Sequence, residues 1–265
     1  MSDILNRFKL GVQWRFRRIW CSFCFFFSLL VGWLLGLPGC RFAVFGAVSG
    51  WRIRKKDQEL ASGLLITPVN CVRYFEFDFA LKALPVPLTG RCLDVSSPRL
   101  FSAFILKKNP YVKLDIVNPD GRDLDETKRL IDAISPSRND IAFHHTYADR
   151  LPWDSNIFDY IWSISVLEHI PIPDDIKVLM EIWRVLKRRG KLILTLPVMA
   201  SGFEEYRDEN VYGLGQIGQE KEGYFFQRWY DENSLQKRVL KVVKNADVVA
   251  KKNLGRKAQG MVYCL

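Results

Sequence analysis

The chain has 265 residues, 48% of them hydrophobic, and a formal charge of +10, which suits one α/β domain of ordinary size with an appendage. The charge is uneven: residues 1–56 hold ten Lys/Arg against one Asp and residues 237–265 hold eight against one, so residues 57–236 keep 21 of the 39 cations against 27 of the 29 acids. A nucleic-acid enzyme lines its substrate face with cations to neutralise phosphates, and the mildly acidic middle of this chain argues against that class of partner.

In chain order, Ile4, Phe8, Val12 and Phe16 recur at helical spacing with Arg7, Lys9, Arg15 and Arg17 off the stripe. That is the pattern of a basic amphipathic helix attracted to anionic lipid. An uncharged run from Ile19 to Cys40 follows, with Arg41, Arg52, Arg54, Lys55 and Lys56 beyond it. The run reaches the length of a spanning helix, but Gly32, Gly36 and Pro38 weaken its far end, so spanning and interfacial insertion both fit. Residues 1–56 are therefore read as a membrane-associating segment and residues 57–265 as the main domain. The cysteines at 21, 24, 40, 71, 92 and 264 form no paired framework, and Cys21-x-x-Cys24 has no second ligand pair, so neither a disulfide scaffold nor a metal site is expected.

Leu60 to Pro85 reads as a lead-in helix. After it the chain alternates: strand "RCLDV", helix Arg99 to Lys108, strand "YVKLDIV", helix "DLDETKRLIDAI" with Leu124, Thr127, Ile131 and Ile134 on one face, strand "IAFHHTY" and strand "FDYIWSIS". The helix "DDIKVLMEIWRVLKRRG" has acids at its start and a stripe of Ile176, Leu179, Trp183 and Leu186, with Gly190 predicted as a left-handed cap before strand "KLILTLP". Strands this apolar suit burial on both faces, and right-handed crossovers then give a doubly wound, mostly parallel sheet. Glycine-rich residues 200–223 read as a lid or acceptor loop. "ENSLQKRVLKVV" reads as a helix, and "ADVVA" and "GMVYCL" as a closing antiparallel pair.

Four segments in order, "CLDV", "VKLDIV", "DRLPWDSNIFDYIWSISVLEHI" and "RVLKRRGKLILTLP", resemble the class I S-adenosylmethionine-dependent methyltransferases of the L-P-F / L-E-H subgroup, over roughly residues 74–231. The resemblance implies a Rossmann-like methyltransferase fold and S-adenosylmethionine as cofactor. It departs from the family at the first loop, where Ser96-Ser97-Pro98 replaces the usual glycines. Small serines still permit close approach and bring hydroxyls to the methionine end of the cofactor. Without glycine's access to positive φ, the loop is expected to follow another path.

The resemblance assigns Asp94 to orienting that loop or facing the ammonium group. It assigns Asp115 to the ribose hydroxyls, with Asp120 the alternative if the second strand runs on. The adenine side falls to Ala148 and Asp149, with Tyr147 standing where the family carries an acid. Ser165 falls on the sulfonium side. His169, beside Glu168, is the candidate general base if the acceptor must lose a proton. His144 and His145, adjacent on a strand, face opposite sides and cannot share one ion.

The expected function is methyl transfer to a small-molecule, lipid or saccharide acceptor on the cytoplasmic face of a membrane contacted through residues 1–56. Two rivals stand beside it. One is a membrane-tethered module of the same fold without catalysis. The other is an RNA methyltransferase using the basic tail from Lys237 to Lys257.

Overall fold

The computed structural model describes residues 27–136, 138–215, 219–220, 222–243, 250–253 and 261–264. The predicted amphipathic stripe from Ile4 to Phe16, the Cys21-x-x-Cys24 pair and most of "ADVVA" lie outside them. After a helical segment over 27–34, the elements are α1 (Cys40–Ile53), α2 (Gln58–Ile66), α3 (Cys71–Ala83), β1 (Gly90–Val95), α4 (Arg99–Lys108), β2 (Val112–Asn118), α5 (Gly121–Ile134), β3 (Ile141–His145) and β4 (Phe158–Ile164). There follow α6 (Asp174–Val185), β5 (Leu186–Leu196), β6 (Phe203–Arg207), β7 (Gln219–Glu220), β8 (Gly223–Trp229), α7 (Glu232–Leu235, running into a π-helical turn to Leu240), β9 (Ala250–Asn253) and β10 (Met261–Cys264).

The main sheet runs β3-β2-β1-β4-β5-β10-β9. β1 to β5 pair in parallel, whereas β10 lies antiparallel to β5 and to β9, so the predicted antiparallel edge is present. Strand periodicity divides the core. On one face Cys92, Leu114, Ile116 and Trp162 pack with Phe42, Phe77 and Phe101 from α1, α3 and α4; on the other Leu93, Val95, Ile161 and Leu192 pack with Leu179 and Ile182 from α6. This two-sided burial explains why the strands read as continuous apolar runs. β6, β8 and β7 form a separate small antiparallel sheet.

Three expectations need correction. The lead-in helix is two helices, α2 and α3, each opened by a side-chain cap: Asp57 accepts from Leu60 N and Asn70 from Arg73 N. Gly190 is not a left-handed cap: α6 ends at Val185, β5 begins at Leu186, and Arg189 takes the positive φ of 66°. A register shift between Phe158 and Tyr160 carries β5 past that point, and Gly190 is required because a Cβ there would sit 2.7 Å from Leu186 Cδ1 and 2.9 Å from the Lys187 carbonyl.

The third correction concerns residues 1–56. Phe42 of α1 is fully buried and its ring centroid lies 5.0 Å from that of Phe77 and 4.3 Å from that of Phe104. The core thus begins upstream of the expected boundary. Among the described residues no helix is long and apolar enough to cross a membrane, because Gly36 and Gly39, both at positive φ, break the apolar run before α1.

Candidate functional site

A cleft of about 440 Å3 opens at the carboxyl ends of β1, β2 and β4, the place where an open α/β sheet leaves backbone groups free for a ligand. Its walls come from Ser96 after β1, Asn118 and Asp120 at the end of β2, Tyr147 to Asp149 after β3, Ser165 and His169 after β4, and Tyr212 from the loop before β7.

At the first turn the chain keeps the path that glycine would allow. Ser96 has a φ of 52°, with its N–H 2.9 Å and its hydroxyl 3.2 Å from the carbonyl of Val117. The expectation that serine would forbid positive φ is therefore corrected: two hydrogen bonds to β2 hold the strained residue in place. Ser165, after β4, repeats the device with a φ of 49°; its N–H reaches Thr195 Oγ1 at 2.8 Å and its hydroxyl donates to Glu76 Oε1 at 2.8 Å.

Asp94 and Ser97 sit behind this lining. Asp94 is buried and accepts from Ser97 N at 2.9 Å and from the Ser102 hydroxyl, which in turn accepts from Trp162 Nε1 at 3.0 Å. Of its two expected roles, orienting the loop is the one the geometry provides. Burial pushes the Asp94 carboxyl up to about 6 against the hydrogen bonds from Ser102 and Ser97. Ser97 Oγ accepts from Ile164 N at 3.0 Å, tying the turn to β4.

Asp115 lies away from the cleft lining. It faces the side of the sheet where Arg91 Nε approaches to 2.8 Å and His144 Nε2 to 3.0 Å. Three residues on, Asn118 accepts from Asp120 N at 2.9 Å and donates to Asp123 Oδ2 at 2.8 Å. Asp120, the alternative acid, lines the cleft and caps α5, with Oδ1 2.9 Å from Arg122 N. The "NPDG" turn carried the signal: an Asp before a helix is a cap, and a capping carboxylate sits where a strand ends. His144 and His145 diverge as expected, His145 Nε2 lying 3.0 Å from the Pro119 carbonyl. Among the described residues no cluster could hold a metal.

Ala148 and Asp149 both line the cleft beside Tyr147. At the other end, His169 Nδ1 lies 2.8 Å from the carbonyl of Phe226 on β8, which can only accept, so the proton sits on Nδ1 and Nε2 is the basic nitrogen. The Tyr212 hydroxyl stands beside the ring, 3.1 Å from Nδ1 and 3.3 Å from Nε2. Burial lowers the pKa of His169 despite the opposing carbonyl, so the ring is neutral near pH 7. Its neighbour Glu168 is 2% exposed with Oε2 unpartnered, and burial, reinforced by Glu76, pushes its carboxyl up to about 8. Tyr212 was missed at the sequence level, since a tyrosine among glycines and acids carries no periodic signal.

The donor set suits a nucleoside with an amino-acid tail: a close-approach turn at β1, a carboxylate after β2, and a small buried residue followed by an acid after β3. The protein-family model described as "Methyltransferase domain" matches residues 110–194, 85 of the 265. By sequence, no curated protein matches. Among solved structures, the chain is similar to the glycopeptide N-methyltransferase MtfA complexed with S-adenosylmethionine, at a TM-score of 0.50 and 16% identity, covering 71% of this chain and 90% of that one. It is also similar to the [4+2]-cyclase SpnF, at 0.50 and 16%, covering 69% and 60% respectively. A third is a didemethyltoxoflavin N1-methyltransferase from Burkholderia thailandensis with bound S-adenosylhomocysteine, at 0.48 and 15%, covering 68% and 71%. The chain spans less than two thirds of the cyclase.

Over residues 110–194 the chain carries a match to a methyltransferase domain, and the solved structures it resembles share its fold. The Rossmann-like methyltransferase fold is the one the chain adopts.

Proposed function

We propose that this chain binds S-adenosylmethionine in the cleft at the ends of β1, β2 and β4 and transfers its methyl group to a small-molecule acceptor, in the cytoplasm where the cofactor is made. The observation that carries the reading is the pair of left-handed serines, Ser96 and Ser165, that keep the cleft mouth open on both sides of the β1–β4 junction. When bound, the cofactor supplies a sulfonium-activated methyl. Asp120, in place of Asp115, is the residue of choice for the ribose hydroxyls, because a carboxylate fixed by backbone amides offers its oxygens without reorganising. Ala148 and Asp149 serve the adenine, and Ser96 the methionine end.

Catalysis is chiefly placement, since holding acceptor and methyl in line supplies much of the rate. Tyr212 and Leu214 bring the lid loop over the cleft. Where the acceptor is a hydroxyl, the neutral His169 is the base for its proton, with the Tyr212 hydroxyl beside the ring.

A second reading, a ligand-binding module without methyl transfer, draws on Asn118: the amide ending β2 spends its side chain on Asp120 and Asp123. The cyclase on a similar fold lends it support. Calorimetric titration of S-adenosylmethionine and S-adenosylhomocysteine into the full chain tests the first reading. Micromolar binding weakened about tenfold by Asp120→Ala and spared by Asp115→Ala is the expected result; no binding by the folded protein sinks it.

A further inference from the structure

We propose that the outer face of α1, with the apolar segment before it and the end of α4, is a docking surface for an anionic phospholipid bilayer, bound peripherally and without a spanning helix. This proposal is independent of the cofactor cleft.

Leu34 and Leu35 are 72% and 71% exposed and Trp33 is 49% exposed, immediately before α1; on α1 itself Trp51 is 60% exposed. The inner face of α1 is spent on the core through Phe42, Ala43, Ala47 and Ile53. Its outer face carries Arg41, Val48, Trp51 and Arg52 at helical spacing. Trp33 and Leu37 meet Val48 and Arg52 of α1 and Lys107 and Lys108 of α4 around one groove, so these elements form one contiguous surface.

Charge decides the occupant. Around this apolar surface stand Arg52, Arg54, Lys107 and Lys108, and no Asp or Glu lines the groove. Arg54 lies 4.1 Å over the Trp51 ring, an arrangement that keeps the cation at headgroup level above an aromatic ring at the interface. A second protein would have to bring acids to every edge of the patch; a bilayer rich in anionic headgroups supplies acyl chains and negative charge in the right layers by its nature. Exposure on this scale otherwise marks an aggregation liability.

The test is sedimentation of the full chain with vesicles of phosphatidylcholine containing about one quarter phosphatidylglycerol, against pure phosphatidylcholine. The wild type should bind the anionic vesicles and release them in high salt. Trp33→Ser/Leu34→Ser/Leu35→Ser and, separately, Arg52→Glu/Lys108→Glu should each weaken partitioning about tenfold or more. All five positions are at the surface, and an unchanged unfolding midpoint and S-adenosylmethionine affinity would show the fold intact. Equal partitioning of both variants and the wild type would overturn the proposal by placing the contact in residues 1–26. So would failure of the wild type to bind, or a dimer in light scattering that the triple variant dissolves.

Discussion

Ser96 and Ser165, ends of two neighbouring parallel strands, both adopt left-handed backbone, with φ of 52° and 49°, and both line one cleft. Each pays for that conformation with hydrogen bonds from its own N–H and hydroxyl to an adjacent element. A non-glycine residue in this region costs on the order of 1–3 kcal/mol unless its surroundings hold it.

The first prediction concerns this pair. Ser96→Gly relieves the strain and should keep S-adenosylmethionine affinity, with unfolding free energy within about 1 kcal/mol of the wild type. Ser96→Val adds a β-branched side chain at positive φ and should cost about 2 kcal/mol in urea unfolding, with weaker cofactor binding. If valine were tolerated on both counts, the conformation of the turn would not be what matters.

Asp115 and Asp120 should separate under substitution. Asp115 is buried within β2 and holds Arg91 and His144, short of the strand end where the cleft opens. Asp115→Ala strands both partners and should cost about 1–3 kcal/mol in urea unfolding while sparing cofactor affinity. Asp120→Ala does the reverse, losing a half-buried cap of about 1 kcal/mol but reducing affinity about tenfold. Equal effects of both on affinity would reopen the assignment of the ribose acid.

Glu168 predicts a pH dependence. Its folded pKa, raised to about 8, lies above its ordinary value of 4.5, so the folded state holds a proton that the unfolded state releases. Its stabilising contribution is whole below pH 4.5 and is lost as pH rises toward 8. His169, whose pKa is lowered by burial, acts oppositely below its ordinary 6.5. Glu168→Gln should therefore flatten the decline in urea stability between about pH 6.5 and 8; an identical slope in the variant would mean that Glu168 ionises freely in the fold.

Truncation distinguishes core from appendage. Phe42→Ala should cost about 3–5 kcal/mol, since the ring fills a site closed by Phe77, Phe101 and Phe104. A fragment beginning at Asp57 lacks α1 altogether and should fail to give a cooperative unfolding transition, whereas one beginning near residue 27 should give one. A stable Asp57 fragment would return α1 to the status of an appendage.

A last stability test lies between lid sheet and main domain. Arg228 Nη1 of β8 meets Asp175 Oδ2 at the start of α6 at 2.9 Å, both buried, and Arg238 Nε meets the same oxygen at 2.7 Å. Asp175→Ala leaves Arg228 with Glu204 as its remaining carboxylate, Oε1 2.9 Å from Nη2, and Arg238 beside it unpaired, so it should cost about 2–3 kcal/mol by urea unfolding. A loss under 1 kcal/mol would mean that water already reaches the pair.

What the sequence by itself determined was whatever repeats at a local period. Leu124, Thr127, Ile131 and Ile134 lie on the buried face of α5 as their spacing requires, and the apolar runs of β1, β2 and β4 are buried on both faces because consecutive side chains alternate. The motif order was legible for the same reason, as each segment occupies one strand and the turn after it. The tertiary structure decided everything that depends on which ends meet. It put Asp120 rather than Asp115 in the cleft, because Asp115 lies three residues inside β2 whereas Asp120 follows the strand's carboxyl end, where the cleft opens. It brought Tyr212 to His169 across 43 residues, and it buried Phe42 while leaving Trp51, nine residues on along the same helix, in solvent. A run of apolar letters states that burial is favourable; only packing states what is left to cover it.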